Sequence, residues 1–464
     1  MMACSPTGIR NAAHYIDIPN NWIRGSRWAV RVGIFALVAC GDAAELPPST
    51  TRTPRERTSK ISSPLGPIQV HFAAATGSSR LCTLDDVIPH VALVGGAPVY
   101  VNAEVFSSSA DRILLAGFPN YIWPTGAVEP VADSIFGIVV DSDGHATAVP
   151  KPIPGNLGDL VAIPRPGGGW HVIFAELASP VRKSLTRQIV GLWSGVLDGI
   201  EWSNVERLPA PGGYEIDDLG SASLLLQGDT LALGVVVSPV GQILLLKRID
   251  RRWAWDRVSI SGGNGQFVEP STVSHIALVP AWNGLGVLAR KNDVTLDTIY
   301  QSLYLYTQED GWREHKVIDG MDPHVTGQLV ASPSSELDVI TWVHETEAVA
   351  YIGAFGTGQL RAITVDTPDT SSAIGFTSRF SRLQDETPVW VTQPRLHDES
   401  GELRILVLDQ DTIVPLAALE FPHWRLQAST AAPGGVVVAT AALRHESPQI
   451  STLILRAKIL CTGP

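Results

Sequence analysis

Three observations predict an all-β chain folded as a β-propeller of about seven four-stranded blades. Gly 42 and Pro 33 stand against only 17 % charged residues, a composition that suits many short elements joined by tight turns. After residue 97, short alternating apolar runs are separated by Gly, Pro, Asp and Ser, with no sustained helical spacing. The runs group into a weak repeat of roughly 50 to 60 residues, a period that marks propeller blades. Length alone, at 464 residues, would suggest two or three domains, but a repetitive chain overrides that expectation.

The units follow in chain order. The first reads YVNAEVFS, RILLAGFP, SIFGIVVD and ATAVPKP, and is the least regular, so six or eight blades also fit. The second reads DLVAIPRP, WHVIFAEL, QIVGLWSG and EWSNVERL; the third SASLLLQG, TLALGVVV, QILLLKRI and WAWDRVSI; the fourth SHIALVPA, LGVLARKN, SLYLYTQE and WREHKVID. Each of these three places a tryptophan near the start of its last strand, at Trp202, Trp255 and Trp312. GQLVASPS, LDVITWVH, AVAYIGAF and QLRAITVD make a fifth unit, and GFTSRFSR, PVWVTQPR, LRILVLDQ and TIVPLAAL a sixth. The last has only three strands, WRLQASTA, GVVVATAA and STLILRAKIL. A ring cannot leave that edge open, so a strand from the N-terminal side, PIQVHFAA or HVALVGG, is expected to close it.

The net charge of −12, with no basic cluster beyond RTPRER at Arg52 to Arg57, excludes a phosphate-tracking surface and with it nucleic acid as a partner. That basic run lies among Pro, Ser and Thr and reads as solvated linker. No apolar run reaches the roughly 18 residues of a spanning helix.

Before the repeats, VGIFALVAC (Val32 to Cys40) has the length of a signal-peptide apolar region, with Arg24, Arg27 and Arg31 as its positive flank. Leu37-Val38-Ala39-Cys40 resembles the lipobox of bacterial lipoproteins, which implies cleavage before Cys40 and acylation of its sulfur. The following GDAAELPPSTTRTPRERTSKISSP reads as a disordered tether. About thirty residues precede the apolar run, so either translation starts further along or Cys40 belongs to an ordinary N-terminal segment. The lipoprotein resemblance implies export, where disulfides persist. Of Cys4, Cys40, Cys82 and Cys461, processing would then leave Cys82 and Cys461 to pair across the ring closure; the alternative is two buried thiols.

LWSGVLDGIEWSNVERL, Leu192 to Leu208, resembles the Asp-box hairpin of sialidase-like, BNR-repeat propellers, with Asp198, Gly199 and Trp202 at about the expected places. YTQEDGWREHKVI, Tyr306 to Ile318, is a shorter echo with Asp310, Gly311 and Trp312. The resemblance implies a structural turn rather than an activity. Sialidases also carry an Arg-Ile/Leu-Pro motif early in the fold; Arg207-Leu208-Pro209 ends a last strand instead, so no catalytic residue is carried over.

In a propeller the loops entering the innermost strands converge on one mouth of the channel. Those loops place Asp217, Asp218, Glu269, Asp322, His324 and His423 shortly before inner strands, while Arg379 and Arg425 start them. Together they form a polar funnel able to hold a ligand, or else serve as loop caps and bridges between blades. For glycoside hydrolysis the pair to measure is Glu269 with Asp322. No G-x-S-x-G, H-E-x-x-H or close Cys/His cluster occurs, so neither metal nor cofactor is expected. The sequence thus predicts a signal and lipobox segment at 1–40, a tether at 41–66 and a propeller at 67–464. The expected protein is an exported monomer at the cell envelope, touching the bilayer through its acyl anchor only. It binds a glycan, peptide or protein through the channel mouth; the alternative is a glycan-active enzyme, a sialidase-like hydrolase or polysaccharide lyase with a diverged site.

Overall fold

In the computed structural model the chain divides into two units, Met1–Arg52 and Thr53–Pro464, and all residues described belong to the second. They are 57–63, 66–72, 82–94, 97–101, 105–109, 112–117, 122–124, 135–141, 143, 145–178, 188–216, 219, 222–237, 242–249, 251–258, 273–281, 284–294, 299–308, 312–321, 329–332, 337–343, 348–355, 359–366, 377–383, 385–393, 402–409, 411–420, 424–432, 436–443 and 452–461. Among them the regular elements are β-strands, and no α-helix occurs.

The strands form successive antiparallel meanders. Sheet 1 is Val105–Ser109, Arg112–Ala116, Ile135–Val140 and Ala146–Pro150. Sheet 2 is Leu157–Pro164, Trp170–Leu177, Ile189–Asp198 and Glu201–Arg207. Sheet 3 is Ser223–Gln227, Thr230–Val237, Gln242–Ile249 and Arg252–Val258. Sheet 4 is Val273–Ala281, Gly284–Val294, Ile299–Gln308 and Trp312–Met321. Sheet 5 is Leu329–Ser332, Asp338–Val343, Ala348–Ala354 and Gln359–Asp366. Sheet 6 begins with Thr377–Arg382, Pro388–Gln393, Glu402–Asp409 and Thr412–Glu420, and the hairpin Arg57–Ser63 with Gly66–Phe72 extends it to six strands. Sheet 7 is Trp424–Ala432, Val436–Leu443 and Thr452–Cys461, with Cys82–Val91 as its fourth strand. A small sheet of Leu93–Val94, Ala97–Val101 and Ile122–Pro124 packs Val99 and Val101 into the core between sheets 7 and 1.

The first strands of the successive sheets touch in turn, and Trp424–Ala432 touches Val105–Ser109, so the series closes around a channel. This is a β-propeller, all-β as the repeat predicts. Its apolar cores lie between sheets. Phe136 and Val139 of sheet 1 meet Leu157, Trp170 and Phe174 of sheet 2; Ile173 and Leu192 meet Leu233 and Leu246 of sheet 3; and so on around, until Ile454 of sheet 7 meets Ile113 and Ile138 of sheet 1. Sandwiching buries second and third strands on both faces, which explains near-continuous apolar runs such as TLALGVVV and PVWVTQ. Fourth strands have solvent on one side and alternate, as in Glu201–Arg207 and Gln359–Asp366.

The three predicted tryptophans fall in fourth strands, and two of them bind the neighbouring sheet. Trp202 Nε1 donates to Pro150 O and Trp255 Nε1 to Pro209 O, each at 2.8 Å, so one contact is repeated one sheet further on. Trp202 also packs edge-on to Phe136, centroids 4.7 Å apart. Gly195 makes room for it, because a Cβ there would lie 3.1 Å from the indole. Asp198 and Glu201 flank a two-residue turn in which Gly199 takes φ +58, the positive angle a type II′ hairpin needs at its first central residue. Asp198 itself is exposed and faces Arg112 at 3.8 Å.

Two expectations about the N-terminal side are corrected. The tether expected over 41–66 contains a strand, Arg57–Ser63, and the described part of PIQVHFAA, within Gly66–Phe72, extends the outer edge of sheet 6, with Val70 opposite Leu419, instead of closing the ring. An unpaired fourth strand offers a row of backbone donors and acceptors, which that hairpin covers. The closing strand is Cys82–Val91, reaching only the start of HVALVGG, paired from Cys82 opposite Cys461 to Val91 opposite Leu453 with one residue skipped at Asp85. Cys82 and Cys461 are joined by a disulfide, not left as thiols.

Candidate functional site at the channel mouth

In each meander the connections into the first strand and between the second and third emerge at one end, which defines the mouth. Of the residues predicted there, Asp217, Asp218, Glu269, Asp322, His324 and His423 lie outside the described residues, as does Cys40. Arg425 is described as a position of the inner strand Trp424–Ala432, opposite Ala442. Arg379 is placed, half-buried, and acts as a strut: its Nε donates to Gln427 O of the next inner strand at 2.7 Å.

That strut belongs to a pattern. Inner strands are edge strands, and their backbone groups find partners on the adjacent sheet. Leu278 N donates to Ser223 Oγ at 2.9 Å, and Leu426 N to the buried Gln393 Oε1 at 2.7 Å. These bonds fix inner strands to the adjacent sheet and make the channel wall a rigid surface. Three adjacent inner strands bound a cavity of about 410 Å³ lined by Ser223, Leu224, Leu225, Ile276, Leu278 and Val330 with flanking small residues. Its wall is aliphatic, in contrast to the polar funnel expected at the mouth.

At the mouth end of sheets 5 and 6 stands an ion cluster that the sequence reading did not single out. Asp366, 9 % exposed at the end of its strand, accepts from Arg404 Nη1 at 3.0 Å and from Thr392 Oγ1 at 2.5 Å; Arg404 Nε reaches Glu402 Oε1 at 2.6 Å. Its members come from three strands, with Asp366, Thr392 and the Glu402–Arg404 pair far apart in sequence, so no local motif announces it. The guanidinium sits between two carboxylates, one on each sheet, which makes the cluster a clamp between sheets 5 and 6.

The inner strands also carry irregularities. Register skips one residue at Asp159 in sheet 2, between Gly158 and Leu160, at Ser274 in sheet 4, between Val273 and His275, and at Gln427 in sheet 7, between Leu426 and Ala428. All three lie near the mouth end of their strands. Asp159 has φ +36, a backbone angle uncommon outside glycine. Among the described residues of the inner strands it is the one carboxylate. The signal for it was the Gly-Asp pair heading DLVAIPRP, which looks like an ordinary turn ending.

At the opposite end of sheet 1, the turn DSDGH brings ligand atoms of Asp141, Asp143 and His145 within 4.8 Å of one another. The turn itself accounts for this. Asp141 Oδ1 accepts from the amides of Asp143 and His145, both at 2.9 Å, and the His145 ring lies 3.4 Å from Oδ2. Slight burial pushes Asp141 up, but those amides and the imidazole more than offset it and hold the carboxyl below its ordinary range.

No family profile matches the chain, and no curated protein does. Among solved structures, it is similar to a polysaccharide lyase described as an ulvan lyase (TM-score 0.47, 10 % identity, 78 % of this chain and 93 % of that one). It is also similar to a putative 6-phosphogluconolactonase from Bacteroides uniformis (TM-score 0.45, 15 % identity, 74 % and 94 %) and to an α-L-arabinanase of Penicillium chrysogenum in complex with arabinobiose (TM-score 0.40, 12 % identity, 65 % and 92 %).

Proposed function

We propose that the protein is an exported, lipid-anchored β-propeller that binds a glycan, peptide or protein at the cell envelope through its channel mouth. The observation that carries the binding reading is the channel wall, where inner strands are tied to the adjacent sheet and bound a cavity of about 410 Å³ lined mainly by aliphatic side chains. A wall tied by inter-sheet hydrogen bonds is preorganised, which favours binding because little has to be ordered on association. The disulfide supports export, since such bonds persist in oxidising compartments. We count sheet 6 as a blade with a hairpin added, which gives a ring of seven, and we read the Asp198 turn as a diverged Asp-box.

The test uses the full chain on arrays of oligosaccharides and of peptides, with reducing-end release measured on whatever is retained. Retention without release supports the proposal. Turnover of a retained glycan would instead favour the enzyme alternative. Labelling with a radioactive fatty acid, lost in Cys40→Ala, tests the anchor.

A further inference from the structure

Three consecutive sheets give the channel wall one aliphatic arc. The inner strands of sheets 3, 4 and 5 read SLLLQ, VSHIALVPA and LVAS, and they touch in turn. Those of sheets 6 and 7 read TSRFSR and WRLQASTAA, richer in arginine, glutamine and hydroxyl side chains. The cavity of about 410 Å³ belongs to the first group. Ile276 and Leu278 form its buried floor, packed so closely on sheet 3 that a Cβ at Gly234 would lie 2.9 Å from each. Leu224, Leu225 and Val330 line it while keeping part of their surface exposed. Aliphatic side chains gathered around a space of small-molecule size mark a place where an apolar group gains by leaving water.

What the lining offers a ligand is narrow. Among its described residues none is charged or aromatic, and the one side-chain hydrogen-bond donor is Ser223. Ser223 Oγ accepts from Leu278 N at 2.9 Å, which fixes the hydroxyl beside the cavity floor and leaves its O–H to donate. An ionised head group would lose hydration there without a counter-charge, and a sugar would lose it at every hydroxyl with one side-chain donor in return. A peptide added as a strand fares no better. Every second N–H of an antiparallel edge strand points outward, but Leu278 gives its own to Ser223 and Pro280 has none.

We propose that this cavity binds the acyl chain of an uncharged ester, the chain lying along Leu224, Leu225, Ile276 and Val330 and the ester carbonyl accepting from Ser223. An ester brings acceptors and no donor, which matches a lining with a single hydroxyl. Since a cavity of about 150 Å³ holds benzene, one of about 410 Å³ accommodates roughly sixteen heavy atoms, the size of the methyl ester of a twelve-carbon acid. This goes beyond the role proposed for the mouth and does not depend on it.

The experiment is equilibrium dialysis of the full chain, above neutral pH, against radiolabelled methyl esters of six- to sixteen-carbon acids, the free acids and alkanes of matching length. The expected result is saturable binding of one ester per chain, strongest near twelve carbons, with the matching free acid weaker by about tenfold or more. Ala222→Phe adds bulk to the lining at a half-buried position and should weaken the ester by about tenfold or more. Ser223→Ala should weaken the ester about fivefold and leave the alkane unchanged; a purely structural role for Ser223 would weaken both alike. Melting temperature is measured on each variant, and should either fail to fold, the comparison of esters with acids on the wild type still decides. Absence of saturable ester binding, equal binding of the free acid, unchanged binding in a folded Ala222→Phe, or equal effects on ester and alkane in a folded Ser223→Ala overturns the inference. None of these outcomes bears on the mouth, which the arrays test separately.

Discussion

Ring closure is where a single covalent bond decides the most. Cys461→Ser removes a disulfide whose partners stand 379 residues apart. By chain entropy, closing a loop of that length stabilises the fold by about 6 kcal/mol, a ceiling that measured values often fall below. For the unit Thr53–Pro464, unfolding entropy amounts to about 0.9 kcal/mol per degree on per-residue averages, so 6 kcal/mol corresponds to about 7 °C. The closing strand still pairs from Thr83 opposite Leu460 to Val91 opposite Leu453, so the variant should remain folded. We expect its melting temperature, by calorimetry at fixed pH, to lie about 3 to 7 °C below wild type. Reductant should lower the wild type by the same amount and leave Cys461→Ser unmoved. A variant within about 1 °C of wild type would refute the argument, as would peptide mapping that finds Cys82 and Cys461 unpaired.

Other outcomes follow from single contacts. Trp202→Phe keeps the ring against Phe136 but loses the bond to Pro150 O, and should cost about 1 kcal/mol in denaturant unfolding; Trp202→Ala should cost about 3 kcal/mol or more. Arg404→Met leaves the Asp366 carboxylate, 9 % exposed, without its cation and should cost about 3 kcal/mol, whereas the double change Arg404→Met with Asp366→Leu should recover most of it in a double-mutant cycle. Burial, with Arg165 and Arg248 nearby, lowers the His171 pKa from 6.5 to about 4, so the fold favours the neutral ring. Its contribution is complete above pH 6.5 and is lost as pH falls from 6.5 through 4. The ring is only half-buried, and screening reduces that contribution to about 1 to 2 kcal/mol; His171→Gln should flatten stability against pH in that window.

What the sequence made legible was whatever repeats. Middle strands are sandwiched, so they read as apolar runs, and outer strands alternate with a tryptophan near the start because that side chain bridges to the preceding sheet, as Trp202 and Trp255 do. Irregular pieces were harder for a physical reason. RTSKISS pairs through its backbone as an added edge, and backbone pairing leaves little trace in side-chain pattern, so it passed for tether. PIQVHFAA and Cys82–Val91 both have strand-like patterns, and nothing local tells which one meets Thr452–Cys461; the cysteines at matched register do.

The site divides along the same line. Arg379 was legible as a mouth residue because it starts an inner strand, but its role as a strut depends on a carbonyl 48 residues away. Asp366 and Arg404 are likewise brought together by ring geometry alone, 38 residues apart. Asp159 was illegible because a bulge is a mismatch between two strands: DLVAIPRP has a regular pattern, and only its pairing with WHVIFAEL shows one residue too many. Register also slips between outer strands, as between Val149 and Pro150 or Ile405 and Leu406, so a slip marks irregular pairing and does not by itself mark a site. Repetition alone would keep the strands in step, and a skipped residue survives only where its surroundings hold it. Leu157 and Leu160, both buried, hold the strand on either side of Asp159, so replacing Asp159 by glycine tests whether the fold needs a side chain at φ +36.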